Sequence, residues 1–262
     1  MKKILVLVIT WVMVSCGTVP FTGRKQFTLI PSEQMLSLSM DSYNEVLNSK
    51  GLSNNQHYIH MVNEVGTKIA AAVETYMLQN DLSERIGHYD WEYHVLQSDA
   101  LNAWCMPGGK IAFYEGIMPV CEDDNGVAVV MAHEVAHAVA RHGNERMSQQ
   151  LAINLGGMAL TRALEEEKEV TQQLALLAFG VGSQVGAVLP YSRLHESEAD
   201  ELGLYFMAMA GYDPHGAIEF WQRMQKQGDA RPPEFLSTHP NPEKRIANLQ
   251  ELVDDAMKYY ER

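Results

Sequence analysis

With 262 residues, the chain is long enough for one large domain or two small ones, and its 46% apolar content excludes wholesale disorder. The formal net charge is −13 and no cluster of Lys or Arg is present. A nucleic-acid partner is therefore not expected, because phosphate binding requires a basic surface.

The N-terminus has the pattern of an export signal. Lys2 and Lys3 precede an unbroken apolar run, residues 4–14, which is too short to span a bilayer and is typical of a secretory leader. The run ends in front of Cys16 in a pattern that resembles a bacterial lipobox, in which the cysteine becomes the mature N-terminus and carries lipid. We therefore predict a signal peptide over residues 1–15 and a membrane anchor on Cys16. An ordinary leader followed by an incidental cysteine is the alternative.

Residues 16–31 contain Pro and Gly without periodicity, which predicts a tether between the lipid and the folded part. Residues 32–262 are predicted to form a single domain of the α+β class, mainly helical with a small strand unit. Its first helices are expected at residues 32–50, with Ser32 as a candidate N-cap, and at residues 57–79. Three strands are then predicted, with a turn at residues 107–109 between the last two. They cover residues 91–97, 102–106 and 110–114.

Most of the second half is predicted to be helical. The expected helices cover residues 127–137, 144–164, 169–189, 194–210 and 214–227, and a last one begins near residue 242. The apolar stretch at residues 174–189 is short for a membrane span and contains glycines, so we expect a packed or lid-forming helix that Pro190 ends. Cys105 and Cys121 could pair in an exported protein, but two free buried thiols are favoured.

The strongest chemical signal is the sequence His-Glu-Val-Ala-His at residues 133–137, within an apolar helical segment. Residues four apart share a helix face, so His133 and His137 can present two imidazoles to one Zn²⁺ ion. Glu134 is placed to take a proton from a water molecule. Two incidental histidines in such apolar surroundings would be costly, which favours metal binding. The motif therefore predicts a zinc-dependent metallopeptidase with one Zn²⁺ per chain.

A catalytic zinc requires a third protein ligand. One large subclass has a glycine three residues and a histidine six residues after the second ligand, but Ala140 and Gly143 occupy those positions here. His142 lies about half a turn around the helix from His133, which is a poor position for sharing its ion.

A glutamate on a second helix is the alternative source of the third ligand. Glu196 fits this role, and Asp200 falls on the same helix face, where it can accept the second N–H of a ligand histidine. From the spacing alone, Glu198 and His195 remain competing ligands on the same helix.

Several further segments occur in the same order as in a known family. The chain resembles the zinc peptidase family that includes HtpX, the CAAX prenyl proteases and the mitochondrial Oma-type protease, and it is most similar to the bacterial lipoprotein branch. The matching segments are Thr22-Gly23-Arg24-Lys25-Gln26, Asn102-Ala103-Trp104 with Pro107-Gly108-Gly109-Lys110-Ile111, Gly116-Ile117-Met118, the zinc motif with Arg141-His142, Ser192-Arg193-x-x-Glu196-x-x-Ala199-Asp200, Ala210-Gly211-Tyr212-Asp213-Pro214, and Ser237-Thr238-His239-Pro240 with Arg245-Ile246.

The resemblance implies a gluzincin-like metallopeptidase domain, with the strand unit beside the active-site helix. It implies Glu196 as the third zinc ligand and Asp200 as its support. It also singles out His239, which is expected either to stabilise the oxyanion or to bind zinc in a latent state. Asn102, Ala103 and Trp104 are implied as the edge that pairs with an extended substrate.

The resulting hypothesis is an endopeptidase of the bacterial cell envelope that hydrolyses misfolded or unassembled envelope proteins. The quality-control role is implied by the resemblance alone. Gly17 after the lipidated cysteine favours the outer membrane, with the protein facing the periplasm. The alternative hypothesis is a chaperone-like binding protein that assists assembly, with a latent protease activity blocked by His239. Processing of prenylated peptides is a third hypothesis, which the absence of several membrane spans disfavours.

Overall fold

The computed structural model describes residues 16–20, 22–227, 234–239 and 242–260, without the side chain of Cys16. The predicted signal peptide, residues 1–15, lies outside the described residues. The chain divides into two compact units, which are described separately. The first combines Met1–Met35 with Arg141–His195, and the second combines Leu36–Ala140 with Glu196–Arg262.

The first unit contains a two-stranded antiparallel sheet and a pair of long helices. Strands β1 (Cys16–Thr18) and β2 (Lys25–Phe27) lie within the stretch predicted to be a tether. Helix α5 covers His142–Ala163 and helix α6 covers Glu169–Ser183. Phe27 donates its backbone N–H to the Glu145 carboxylate of α5 at 3.1 Å, so the strand pair is joined to this helix.

In the second unit, a long amphipathic helix packs against a helix that is apolar on all sides. Helix α2 (Gln56–Gln79) begins after Asn55, whose side chain accepts hydrogen bonds from the backbone of residues 57 and 58. Helix α4 (Asp124–Val139) is buried almost throughout, as its continuous apolar sequence predicts. Asp123 caps α4 by accepting a hydrogen bond from the Gly126 N–H at 2.9 Å.

A three-stranded sheet in the second unit lies beside α4. Its order is β3 (Glu92–Leu96), β5 (Lys110–Tyr114), β4 (Ala103–Met106), with β5 parallel to β3 and antiparallel to β4. Every residue of β5 is buried, consistent with its central place. The turn between β4 and β5 contains Gly108 and Gly109 at φ values of 91° and 79°, a region that glycine enters without steric cost.

The remaining helices lie before, between and after these elements. They are α1 (Ser32–Ser49), α3 (Met118–Cys121), α7 (Leu189–Met209), α8 (Gly216–Gln227), α9 (Glu234–Thr238) and α10 (Pro242–Tyr260). This mainly helical arrangement with small sheets confirms the predicted fold class. Both Cys105 and Cys121 are free thiols.

Of the sequence-based expectations about the apolar helix, one alternative and one boundary are wrong. A packed or lid-forming helix was expected at residues 174–189, and no residue of α6 is buried, so the packed alternative is wrong. Pro190 was expected to end it, whereas α6 continues through one π-helical turn, Gln184–Val188, into α7. Pro190 directly follows the π-helical turn and lies inside the continuous helix, where it has no N–H to donate to a carbonyl of the preceding turn. By length and composition alone, Glu169–Met209 is the one candidate membrane span among the described residues.

Candidate metal centre

The predicted zinc ligands converge in the second unit. Residues 133 and 137 project from one face of α4, and Glu196 projects from α7. Their side chains and that of His239 each offer one ligand atom, and these atoms all lie within 4.8 Å of one another. All of these residues are buried.

The spacing of the donor atoms fits a tetrahedral ion. With Zn–N bonds of 2.0–2.1 Å, two ligand atoms of a tetrahedral zinc lie about 3.3 Å apart. The His133 Nε2 and His137 Nε2 atoms are separated by 3.1 Å, and each lies 3.4 Å from a carboxylate oxygen of Glu196. Two imidazoles and a carboxylate are also the donor types of many catalytic zinc sites. The residues present therefore fit a zinc ion.

The environment of Glu196 keeps this carboxylate ionised. Burial opposes ionisation, but the imidazoles of His137, His133 and His239 lower the pKa of Glu196 far below its usual range. An anionic oxygen is what a divalent cation requires of this ligand.

His239 occupies a fourth position in the cluster. Its Nδ1 atom lies 3.1 Å from His133 Nε2 and 2.7 Å from Glu196 Oε2. His239 follows the end of α9: its backbone N–H donates to the Phe235 carbonyl at 2.8 Å, and its ring lies 4.6 Å from the Phe235 ring between centroids. In this conformation, Nδ1 of His239 points at the donor set, as the latent arrangement requires.

One carboxylate oxygen of Glu134 has no hydrogen-bond partner among the described residues. The side chain is 5% exposed, and its Oε1 atom has no hydrogen-bond partner within the described part of the chain. His239 Nε2 is 3.3 Å away from this atom, beyond good hydrogen-bond geometry. A buried and unsatisfied carboxylate beside the ligand cluster is suited to accept a proton from water.

Behind the ligands, Asp200 and Arg245 form a second layer of contacts. Asp200 Oδ1 lies 3.2 Å from His133 Nδ1, the position predicted from the helix spacing. Arg245 of α10 donates through Nε to Asp200 Oδ2 at 2.8 Å and through Nη1 to Glu196 Oε2 at 3.1 Å. Its guanidinium stacks on the Trp221 ring, 3.7 Å from the centroid. Burial opposes ionisation of Asp200, but Arg245 lowers its pKa.

Sequence reasoning gave Arg245 no role, although this residue joins a ligand to its supporting carboxylate. The signal was present only as a matching Arg-Ile pair in the resemblance. Arg245 is only 4% exposed, and this burial could not be inferred from the sequence because the residue lies in a polar segment after a loop.

Gly203 is a second residue that sequence reasoning missed. A β-carbon at this position would lie 3.2 Å from the Cα and amide nitrogen of His133, so α7 approaches the backbone of α4 at the first ligand. Gly203 lies three residues after Asp200 and seven after Glu196, on the same face of α7. The sequence feature that could have identified Gly203 is a glycine on the same helix face as Glu196 and Asp200.

The predicted substrate edge is one of the two outer strands of the three-stranded sheet. Tyr114 donates its N–H to the Asn102 carbonyl at 3.0 Å, so the alternation of an antiparallel ladder directs the backbone groups of Ala103 and Cys105 away from β5. The Asn102 side chain accepts from the Ala103 N–H at 3.0 Å and donates to Glu234 at 3.0 Å. Trp104 is half-buried and packs edge-on against Tyr43.

The competing ligands do not join the donor set. His195 belongs to the first unit, where its Nε2 atom lies 2.9 Å from Glu145 and its ring stacks on His142. Glu198 is buried on α7 but is not a member of the ligand cluster. The lipid attachment predicted at Cys16 falls on a side chain outside the described residues.

Comparison with known proteins identifies the family. Residues 64–253 match the model of Peptidase family M48. The chain is 32% identical over 242 residues to the "Mitochondrial metalloendopeptidase OMA1" of Schizosaccharomyces pombe, covering 91% of this chain and 66% of that protein. It is 29% identical over 252 residues to the human "Metalloendopeptidase OMA1, mitochondrial", covering 92% and 47%.

A bacterial relative is also similar. The "Putative beta-barrel assembly-enhancing protease" of Vibrio cholerae is 29% identical over 167 residues, covering 61% of this chain and 34% of that protein. The chain thus spans between a third and two thirds of the length of these relatives. Together with the His-Glu cluster, the match confirms the resemblance and the enzyme class. The chain belongs to peptidase family M48 and is a metalloendopeptidase.

Proposed function

We propose that this protein is a zinc-dependent endopeptidase of the bacterial cell envelope, anchored by lipid on Cys16 and active on misfolded or unassembled envelope proteins. The observation that carries the zinc assignment is the buried cluster of two imidazoles and a carboxylate with donor atoms 3.1–3.4 Å apart. His133, His137 and Glu196 would hold the ion. Bound there, zinc would polarise the scissile carbonyl and lower the pKa of a water molecule toward neutrality.

The residues around the ligands have separate roles in the proposed reaction. Glu134 accepts the proton of the attacking water on its unsatisfied carboxylate and passes it to the leaving amine. Asp200 holds the Nδ1–H of His133, which fixes the ring so that Nε2 faces the ion. Arg245 neutralises Asp200 and orients Glu196 through the same guanidinium.

Substrate binding is assigned to the outer edge of β4. The Ala103 carbonyl and the backbone groups of Cys105, which are directed away from β5, can pair with an extended peptide, and such backbone pairing confers little sequence preference. Binding with little sequence preference suits substrates that have an exposed extended segment in common but no common sequence. Asn102 would orient this edge by capping the Ala103 N–H.

The envelope assignment is supported by the leader pattern and by one relative. A leader followed by Cys16 is typical of an exported lipoprotein, and Gly17 favours the outer membrane with the enzyme facing the periplasm. The Vibrio cholerae relative is named for β-barrel assembly, which points to unfolded or misassembled envelope proteins as substrates.

A Glu134→Gln variant tests this function. It should retain stoichiometric zinc, measured by elemental analysis, while hydrolysis of an unfolded protein substrate falls by about 10²–10⁴-fold. A Glu201→Gln variant on α7, outside the ligand cluster, is the control and should cleave at the parental rate. Mass spectrometry of envelope fractions should then show uncut proteins that accumulate with Glu134→Gln. Equal rates for parent and Glu134→Gln would disprove the mechanism.

The position of His239 supports a second candidate function. Its Nδ1 atom lies within the donor set, so the side chain can complete a four-ligand site that excludes a substrate carbonyl. A protein held in this latent state would act as a chaperone-like binding module with low basal proteolysis. Displacement of His239 would convert this module into the protease.

A further inference from the structure

The short helix α9 is attached to the beginning of the predicted substrate edge. Phe235 donates its backbone N–H to the Leu101 carbonyl at 3.0 Å. The preceding residue, Glu234, accepts a hydrogen bond at 3.0 Å from the side-chain amide of Asn102, whose oxygen in turn accepts from the Ala103 N–H. Two hydrogen bonds therefore join α9 to the two residues that directly precede β4.

These hydrogen bonds occupy positions that an extended peptide needs. Because the Asn102 carbonyl accepts from β5, the alternation of the ladder directs the Leu101 carbonyl outward, in line with that of Ala103 and about 7 Å from it. A peptide that pairs with β4 and continues in this direction meets Phe235 at Leu101. It also competes with the Asn102 side chain for the Ala103 N–H. Pairing along the whole edge therefore requires release of both hydrogen bonds that hold α9.

The same short helix fixes the position of His239. The backbone N–H of His239 donates to the Phe235 carbonyl at 2.8 Å, and the two rings lie 4.6 Å apart between centroids, so the two residues move together. The Phe235 ring is fully buried and stacks on Trp221, with 5.6 Å between centroids, which keeps α9 in place when no peptide is bound. Displacement of Phe235 therefore shifts the His239 ring, whose Nδ1 atom lies 2.7 Å from Glu196.

We propose that the contact between Phe235 and Leu101 makes hydrolysis depend on the length of the extended segment that a substrate offers. A short peptide binds to β4 while α9 stays in place and His239 remains in the donor set. A longer peptide takes the Leu101 carbonyl, displaces α9 and clears the space that the scissile carbonyl enters. The inference rests on the latent role of His239 proposed above and adds what displaces this side chain, the backbone of the substrate itself. Phe235 and Glu234 are thus positioning residues that act through His239.

Kinetics on a nested series of peptides test the proposal. The full chain, loaded with zinc, is given peptides that extend one sequence cleaved in casein by two residues at a time, separately at either end. Extension at the end that approaches Leu101 should raise kcat by about tenfold in a single step, because a conformer present in a minority of molecules then becomes the main one. A longer peptide that only gains contacts with the edge lowers KM at constant kcat, and that result overturns the proposal.

A Glu234→Ala variant should relax the dependence on length. The side chain is exposed, so the fold is retained, and loss of its hydrogen bond to Asn102 should raise kcat on the shortest peptide by about 2–10-fold. Glu234→Gln keeps an oxygen acceptor and should restore the parental length dependence. Glu243→Ala is the matched control, because this exposed glutamate of α10 also accepts from a side-chain amide, that of Gln225. Equal kcat values for Glu234→Ala and Glu243→Ala on the shortest peptide overturn the proposal.

Hydrogen exchange gives a readout that does not depend on hydrolysis. In the Glu134→Gln protein, a saturating long peptide should speed amide exchange at Phe235 and His239 by about tenfold or more, because both amides are hydrogen-bonded while α9 is in place. The shortest peptide should leave their exchange unchanged, and equal exchange with both peptides overturns the proposal. A fall in kcat/KM with His239→Ala on every peptide refutes the latent state and this inference together. Faster hydrolysis by His239→Ala, combined with any contrary result above, overturns this inference alone.

Discussion

Gly203 lies against the backbone of His133, where a β-carbon would come within 3.2 Å of both the amide nitrogen and the Cα of the histidine. Glu196, the proposed third zinc ligand, and Asp200, its proposed supporting carboxylate, are on the same helix as Gly203. The distance of that helix from the motif helix therefore decides whether Glu196 reaches the ion.

A Gly203→Ala substitution should weaken zinc binding. The added methyl group meets backbone atoms, which cannot rotate away, so α7 must shift by a few tenths of an ångström and the variant loses about 1–3 kcal/mol of stability. Chelator competition measures zinc affinity, and urea unfolding measures stability. Gly143→Ala is the control, because nothing lies within 4 Å of its β-carbon and alanine favours a helix. Equal losses in both variants would refute the packing explanation.

Removal of Arg245 should destabilise the centre strongly, because this residue is buried although it lies in a polar stretch of the sequence. An Arg245→Met variant leaves the buried Asp200 carboxylate without its cation, at an expected cost of about 3–5 kcal/mol in the free energy of unfolding. Zinc affinity should fall as well, because Glu196 loses the donor that orients it. Lys244→Met changes the exposed neighbouring cation and should shift the free energy of unfolding by less than about 0.5 kcal/mol. A small effect of Arg245→Met on both quantities would contradict the role assigned to this residue.

The two roles open to His239 predict opposite kinetics. Since its Nδ1 atom lies in the donor set, we expect His239→Ala to raise the basal rate of peptide hydrolysis by freeing a coordination position. The rate is measured as kcat/KM on an unfolded substrate with saturating zinc. A His239→Ala, Glu134→Gln double variant controls for contaminating proteases and should be inactive. A fall in kcat/KM with His239→Ala would instead establish the oxyanion role and exclude the latent state.

Glu145 should make the stability of the first unit depend on pH. Burial opposes its ionisation, but His195 and Arg24 lower its pKa well below the usual range. Because the folded pKa lies below the unfolded value of about 4.3, the stabilisation is present above that pH and is lost as the pH falls further.

Urea unfolding at pH 7 should show Glu145→Gln less stable than the parent by about 3 kcal/mol, and the difference should shrink below about pH 4. Glu165→Gln, an exposed residue paired with Arg162, is the matched control and should have little effect at either pH. A difference that grows as the pH falls would show that the carboxylate is not ionised in the folded protein.

Local periodicity was sufficient to predict most of the helices, the three strands of the larger sheet and part of the centre. The helical repeat placed His133 and His137 on one face of α4, and the same rule placed Asp200 beside Glu196 on α7, because both relations depend on neighbours three or four residues apart. The turn at Gly108 and Gly109 was likewise evident from residue type. The role of Glu196 itself came from the resemblance, since spacing left Glu198 and His195 open.

Only the tertiary structure decided the relations between distant segments. Arg245 reaches Asp200 across 45 residues of sequence, and Gly203 matters because the backbone of another helix lies against it. The strand pair of residues 16–18 and 25–27 appeared to be a tether, because two three-residue strands are too short for a periodic signal. Finally, an apolar run has the same sequence whether it is buried or exposed, so the sequence left a packed and a lid-forming helix open where the structure has an unburied α6. Burial depends on which other elements cover a surface, and that is a property of the whole fold.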